Sequence, residues 1–200
     1  MGCSMGRSRQ EELTDSVLEA ASNLFAEKGF HETSTDELAS RLGISKPTLY
    51  KYGSSKAAIL QAIVRRNHKR ALEEAQRIAA GKAAPLDQLR ELFRFHTHFA
   101  IEHRHEVRII DGERHRLTDH DEIDKLAGEY LSFIKHLITE AQKAENLRDD
   151  IPLELFARSF IALALGPGKW FVEKKRGLSE EEVIDANWSL FMRGAASLGK

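Results

Sequence analysis

Between Leu42 and Leu49 the chain reads Leu-Gly-Ile-Ser-Lys-Pro-Thr-Leu, a run that few backbones can satisfy. Gly43 follows Leu38, Ala39 and Leu42, which are spaced as one apolar face of a helix. A helix ending there closes most readily through a left-handed residue, a conformation that penalises any side chain with a Cβ. Ser45 is placed to cap a second helix, and Pro47 then falls in its first turn, where the N–H that proline lacks has no partner in any case. Upstream, Ser34 and Glu37 have the spacing of a capping box. Residues 34–52 therefore read as two short helices about a glycine turn, the second running from Lys46 to about Tyr52.

On that second helix Leu49 is the only aliphatic residue available to pack inward, which leaves Lys46, Thr48, Tyr50, Lys51 and Tyr52 outward. Ammonium and hydroxyl groups in that pattern suit phosphate oxygens and base edges, and exposed tyrosines suit the sugar-phosphate wall. This is the surface of a helix-turn-helix, and it points to double-stranded DNA. The expected reading groups are Lys46, Thr48, Tyr50 and Lys51, with Ser34, Tyr52 and Lys56 on phosphates and Thr35 and Ser45 beside them at the two helix starts.

The formal net charge of −1 over 200 residues is far from a basic footprint. Distribution resolves the conflict. From Leu38 to Leu72 the chain carries Arg41, Lys46, Lys51, Lys56, Arg65, Arg66, Lys69 and Arg70, eight cations with no Asp or Glu between them. Arg65 to Arg70 also fit the solvated face of a long helix, so Lys46, Lys51 and Lys56 carry most of the argument.

The same stretch resembles the TetR family of bacterial transcriptional regulators. The resemblance is carried by Leu24-Phe25-Ala26-Glu27-Lys28-Gly29-Phe30, Thr33-Ser34, Leu38-Ala39, Gly43-Ile44-Ser45, Thr48-Leu49-Tyr50-Lys51-Tyr52 and Ser55-Lys56, and it covers roughly residues 13 to 60. Two positions depart from it: Gly53 stands where the family usually has a large aromatic, and Ala57 where it commonly has an acid. Gly53 is expected to end the reading helix and to loosen its link to the next one. Beyond residue 60 only length and helical pattern are similar.

The rest of the chain reads as helical nearly throughout, an all-α fold of about nine helices. Leu13, Val17, Ala20, Ala21, Leu24 and Phe25 mark a first helix ending before Gly29. A fourth helix runs from Ser55 to about Ala79, and Gly81 to Pro85 form a linker. Further helices follow over Pro85 to about Glu102, around Val107 to Leu117, and from about Glu122 to Ala144. Pro152 opens the next, and Ser179 with Glu182 caps the last. The expected division is a leader over 1–10, a DNA-binding domain over 11–56, and a ligand-binding and dimerisation domain over 57–200. The start Met-Gly-Cys-Ser-Met-Gly approaches a myristoylation signal, but Gly6 stands where Ser or Thr is needed. No run of apolar residues is long enough to span a membrane, and a lone Cys3 fits a reducing cytoplasm.

The last two helices are apolar on more than one face, which marks an interface, and the family resemblance implies a homodimer joined there, with Phe160, Leu163, Trp188 and Phe191 as its expected contacts. The middle helices offer Phe95, Phe99, His103, Ile110, Tyr130, Phe133 and Ile134 as lining for a small-molecule effector. The Gly166-Pro167-Gly168 kink before Lys169 and Trp170, with Lys174, Lys175, Arg176 and Arg114 nearby, suits an anion such as the phosphates of an acyl-CoA. A hydrophobic or aromatic drug-like effector remains open, as does activation rather than repression. The nine histidines offer no metal-ligand spacing such as His-x-x-x-His beside a Cys, so no metal and no cofactor are expected. No Gly-x-Ser-x-Gly, phosphate-binding glycine loop or His-Glu-x-x-His occurs, so no enzyme is expected either.

Overall fold

The computed structural model describes residues 9–113, 121–144, 146–169, 171 and 177–196. Among these it shows nine α-helices and no strand, apart from one isolated bridge between Leu147 and Ala196. In order they are α1 (Arg9–Lys28), α2 (Thr35–Arg41), α3 (Lys46–Leu49), α4 (Lys56–Ala79), α5 (Pro85–Glu102), α6 (Arg104–Glu113), α7 (Asp121–Lys143), α8 (Leu153–Leu165) and α9 (Glu180–Ala195). A 3-10 turn, Gly166–Lys169, continues α8. Residues 114–120, Trp170 and 172–176 lie outside the described residues, as does the side chain of Lys169.

The caps at Ser34, Ser45 and Ser179 are where local sequence places them, and Ser55 adds a fourth. Ser34, Ser45, Ser55 and Ser179 each accept a hydrogen bond from a backbone N–H three residues on. At Ser179 the box is complete, because Glu182 returns a carboxylate to the Ser179 N–H. At Ser34 only one arm forms, since Glu37 turns its carboxylate to Lys28 instead. Gly43 takes the expected left-handed conformation, with φ of 63°.

Two apolar cores follow. The first gathers Leu18, Leu24 and Phe25 of α1 with Phe30, Leu38 of α2, Leu49 of α3, and Ile59, Leu60, Ile63 and Val64 of α4. The second gathers Ala75 and Ile78 of α4 with residues of α5, α7, α8 and α9. Its centre is an aromatic cluster in which Phe93 meets Phe160 at 5.4 Å, Trp188 at 5.3 Å and Phe191 at 5.9 Å between ring centroids. Helix α4 is thus common to both cores. Its 24 residues span about 36 Å, long enough to serve one core with each half.

Two expectations change in this light. The helix read as Lys46 to Tyr52 is a single α-turn ending at Leu49; Lys51 and Tyr52 then donate to Thr48 and Leu49 three residues back, the tighter 3-10 pattern. And Gly53 is not among the left-handed glycines, Gly29, Gly43 and Gly177. A Cβ placed on Gly53 would stand 2.6 Å from the Ile59 nitrogen and 2.8 Å from the Ala58 carbonyl carbon. The glycine lets the turn lie directly on the backbone of α4, so the junction is tight where loosening was expected.

Candidate nucleic-acid interface

Leu49 is fully buried and anchors α3 to the first core, while Tyr50 is 45% exposed at its end. A four-residue helix has no stability of its own. Burial of Leu49, the Ser45 cap and Pro47 in the first turn hold it in place.

Around that anchor the candidate groups are arranged as follows. Ser45 Oγ lies 2.8 Å from Thr48 Oγ1 and accepts from the Thr48 N–H at 3.3 Å. Lys46 Nζ reaches Asp36 Oδ1 of α2 at 2.5 Å, and this carboxylate raises the lysine's pKa above its ordinary value. Ser34 spends its Oγ on the Glu37 N–H, and Thr35 follows as the first residue of α2. Tyr52 is half-buried against the first core rather than projecting. Lys56 is turned inward: its ammonium donates to the carbonyls of Phe30 and His31, both at 2.8 Å, and sits 5.1 Å from the centroid of the Phe30 ring.

The eight-cation run resolves in the same way. Arg41 pairs with Glu27, Arg65 with Glu122, Arg66 with Glu106, Lys69 with Glu73 and Arg70 with Asp15. Of the eight, Lys51 alone has no partner among the described residues, and it is exposed at the tip of the head. Every acid that pairs with these cations lies outside residues 38–72, that of Lys69 just beyond Leu72.

Phe95 and Phe99 of α5 and His103 at its C-cap form a half-buried row, with Phe95 and Phe99 centroids 6.3 Å apart and Phe99 and His103 4.6 Å apart. Tyr130 and Ile134 are buried in the second core, and Phe133 packs against that core. Ile110 is elsewhere, packed on the first core with Ile109. The Tyr130 hydroxyl shares a hydrogen bond with His96 Nε2, and burial lowers the His96 pKa to about 4 and raises that of Tyr130. Arg114 and Trp170, with the Lys174 to Arg176 run, lie outside the described residues. A cleft of about 290 Å³ opens between α1 and α6, lined by residues that include Phe30, His105, Arg108 and Glu113. No group of three His, Cys, Asp or Glu side chains converges as a metal site among the described residues.

Of the four expected dimer contacts, Phe160 and Phe191 belong to the subunit's own aromatic cluster, with exposures of 0% and 4%, and Trp188 is half-buried beside them. Leu163 is exposed, and with it Leu155 at 58% and Leu190 at 65%. These two leucines are the apolar groups of α8 and α9 that periodicity alone did not single out.

Residues 17–63 match the family model "Bacterial regulatory proteins, tetR family", and residues 82–195 match that of the "Tetracyclin repressor-like, C-terminal domain". This chain belongs to the tetR family. Regulators of this family act by binding DNA, not by catalysis. The chain is 32% identical over 111 residues to the HTH-type transcriptional repressor KstR2 of Mycolicibacterium smegmatis, a match covering 55% of this chain and 54% of that protein. It is 40% identical over 58 residues to the HTH-type transcriptional activator FasR of the same organism, covering 29% and 26%. It therefore spans between about a quarter and about half the length of these curated relatives. The crystal structure of AibR in complex with isovaleryl coenzyme A and operator DNA superposes with a TM-score of 0.72 at 26% identity, over 89% of this chain and 97% of that one. No helix among the described residues is long and apolar enough to cross a membrane.

Proposed function

We propose that this tetR-family protein is a homodimeric repressor that holds a near-palindromic operator and releases it on binding an acyl-CoA-type effector. The observation that carries the DNA reading is the tip of the head, where Tyr50 and Lys51 stand exposed on a turn anchored by buried Leu49. Lys46, Thr48, Tyr50 and Lys51 enter the major groove. Phosphates meet Ser34 and Thr35 at the start of α2, where free N–H groups and the helix dipole favour anions. Lys46 exchanges Asp36 for a phosphate. Lys56 acts from behind, holding the chain between α1 and α2.

The exposed leucines of α8 and α9 supply the dimer contact, and two-fold symmetry then sets the heads about 34 to 36 Å apart, one turn of DNA. The effector class is supported by AibR, a solved relative bound to both isovaleryl coenzyme A and operator DNA. The row Phe95, Phe99 and His103 offers an acyl chain an apolar wall with a polar end. Repression is supported by KstR2, whose match reaches past the head into the second core. Release requires only that the effector bind one dimer shape more tightly than the other.

The test selects duplexes from a random pool with the purified protein, then titrates the complex with isovaleryl-CoA, longer acyl-CoAs, free CoA and a panel of aromatic drugs. An acyl-CoA that raises the melting temperature and dissolves the complex supports the reading. A response to an aromatic drug alone reassigns the effector. Selection of no duplex removes the DNA function.

A further inference from the structure

Arg66 of α4 and Glu106 of α6 form an ion pair that the mechanism above does not use, with side chains only 8% and 4% exposed. Arg66 Nη2 donates to Glu106 Oε1 at 2.5 Å, and Asn67 Nδ2 donates to the other oxygen, Oε2, at 2.9 Å. Arg66 Nη1 reaches across to the carbonyl of Asp15, in the middle of α1, at 3.2 Å. One turn further, Arg70 donates to the Asp15 carboxylate at 2.9 Å. Three helices thus meet at one buried polar knot: α1 of the head, α4 that runs through both cores, and α6, whose Ile109 and Ile110 pack on the first.

The apolar contacts around this knot, Ile109, Ile110 and Ile123 against the first core, hold the parts together but do not dictate an angle. A guanidinium fork differs, because its hydrogen bonds fail within a small rotation. Sliding α6 along α4 would leave two charges in an apolar setting, so few arrangements of head and body are open.

We propose that Arg66 and Glu106 are positioning residues for DNA binding: their buried pair, extended to Asn67 and the Asp15 carbonyl, sets the angle of the reading head against α6. The proposal rests on the DNA-binding reading for its consequence, and on the knot alone for its geometry. A well-set angle fixes the separation of the two heads, so the dimer discriminates against operators whose half-sites are displaced by one base pair, about 3.4 Å along the axis and about 34° around it.

Two variants separate positioning from mere stability. The pair Arg66→Met with Glu106→Leu replaces the knot by apolar groups, which keeps or raises the melting temperature when packing is preserved. Glu106→Gln leaves Arg66 buried without its anion and lowers it. Spin labels at Ser40→Cys on α2 and Ser132→Cys on α7, in a Cys3→Ser chain, report the angle of the head without DNA. Anisotropy on the duplex selected by the wild-type protein, and on its one-base-pair insertion, reports discrimination.

The expected result is that the apolar pair melts at or above the wild-type temperature, yet its label distances broaden, and discrimination between the two duplexes falls from about tenfold to near unity. Wild-type distances and discrimination in that variant would overturn the proposal and leave the ion pair a matter of stability. If that variant does not fold, Arg66→Lys, which keeps the charge and loses the fork, decides by the same two readouts. If the wild-type protein selects no duplex, the functional reading fails on its own, and the label distances decide the proposal.

Discussion

Single side chains in the head divide into those that face outward and those that brace it. Lys51→Ala is expected to cost about 1 to 3 kcal/mol of affinity on a selected duplex if the ammonium reaches a base edge. Competition against random DNA checks this, since an equal loss on both would move Lys51 to phosphate. Lys56→Ala removes two hydrogen bonds and a ring contact from the chain between α1 and α2. It should lower the melting temperature before it changes sequence preference. His96 adds a pH dependence. Its folded pKa, lowered to about 4 from an unfolded value of 6.5, means that the unfolded chain takes up the proton first as pH falls. The stability it lends is whole above pH 6.5 and is lost as pH drops toward 4, by about 3 kcal/mol if His96 acts alone. Urea unfolding between pH 7 and pH 4 measures it, and His96→Gln should flatten that dependence.

Among the elements, α3 shows how a short helix depends on its neighbours. Leu49→Ala should cost about 2 to 5 kcal/mol, as for other fully buried leucines, and abolish DNA binding together with head stability. Gly53→Ala is expected to cost about 1 to 3 kcal/mol, because the atoms it would meet are backbone atoms of α4 that cannot swing aside. Calorimetry reads both. A residue as large as the family usually carries there requires the turn to stand further from α4. Local signals were legible in the sequence: the serine caps at Ser34, Ser45 and Ser179, the left-handed Gly43 and the linker before Pro85 depend on neighbours within a few residues. What was not legible depends on atoms far along the chain. Periodicity marks α8 and α9 as apolar on more than one face, but not that Phe160 and Phe191 face inward and Leu155 and Leu190 outward. Nor does a run of cations reveal that Asp15, Glu27, Asp36, Glu106 and Glu122 come round to meet it.

For the molecule as a whole, the exposed leucines carry the dimer prediction. Leu190→Glu should shift sedimentation toward a monomer and weaken operator binding together, because half the reading surface is then lost to each duplex. An unchanged dimer would move the interface off α9. With Lys56 turned inward, Lys46 and Lys51 leave at most four cations per dimer to meet phosphates, so the logarithmic salt slope should be no steeper than about −3.5, near −0.9 per contact. Anisotropy over a salt series measures it, and a slope near zero would sink the DNA reading.

Helix α4 has one further consequence. Ile59, Leu60, Ile63 and Val64 complete the first core although they lie past Lys56, and the same helix contributes Ala75 and Ile78 to the second. A chimeric regulator that grafts another protein's head at residue 56 would inherit a mismatched half of the core it needs. A functional exchange has to be spliced within α4, between Val64 and Ala71, and then carry Arg66 and Asn67 with whichever partner supplies Glu106.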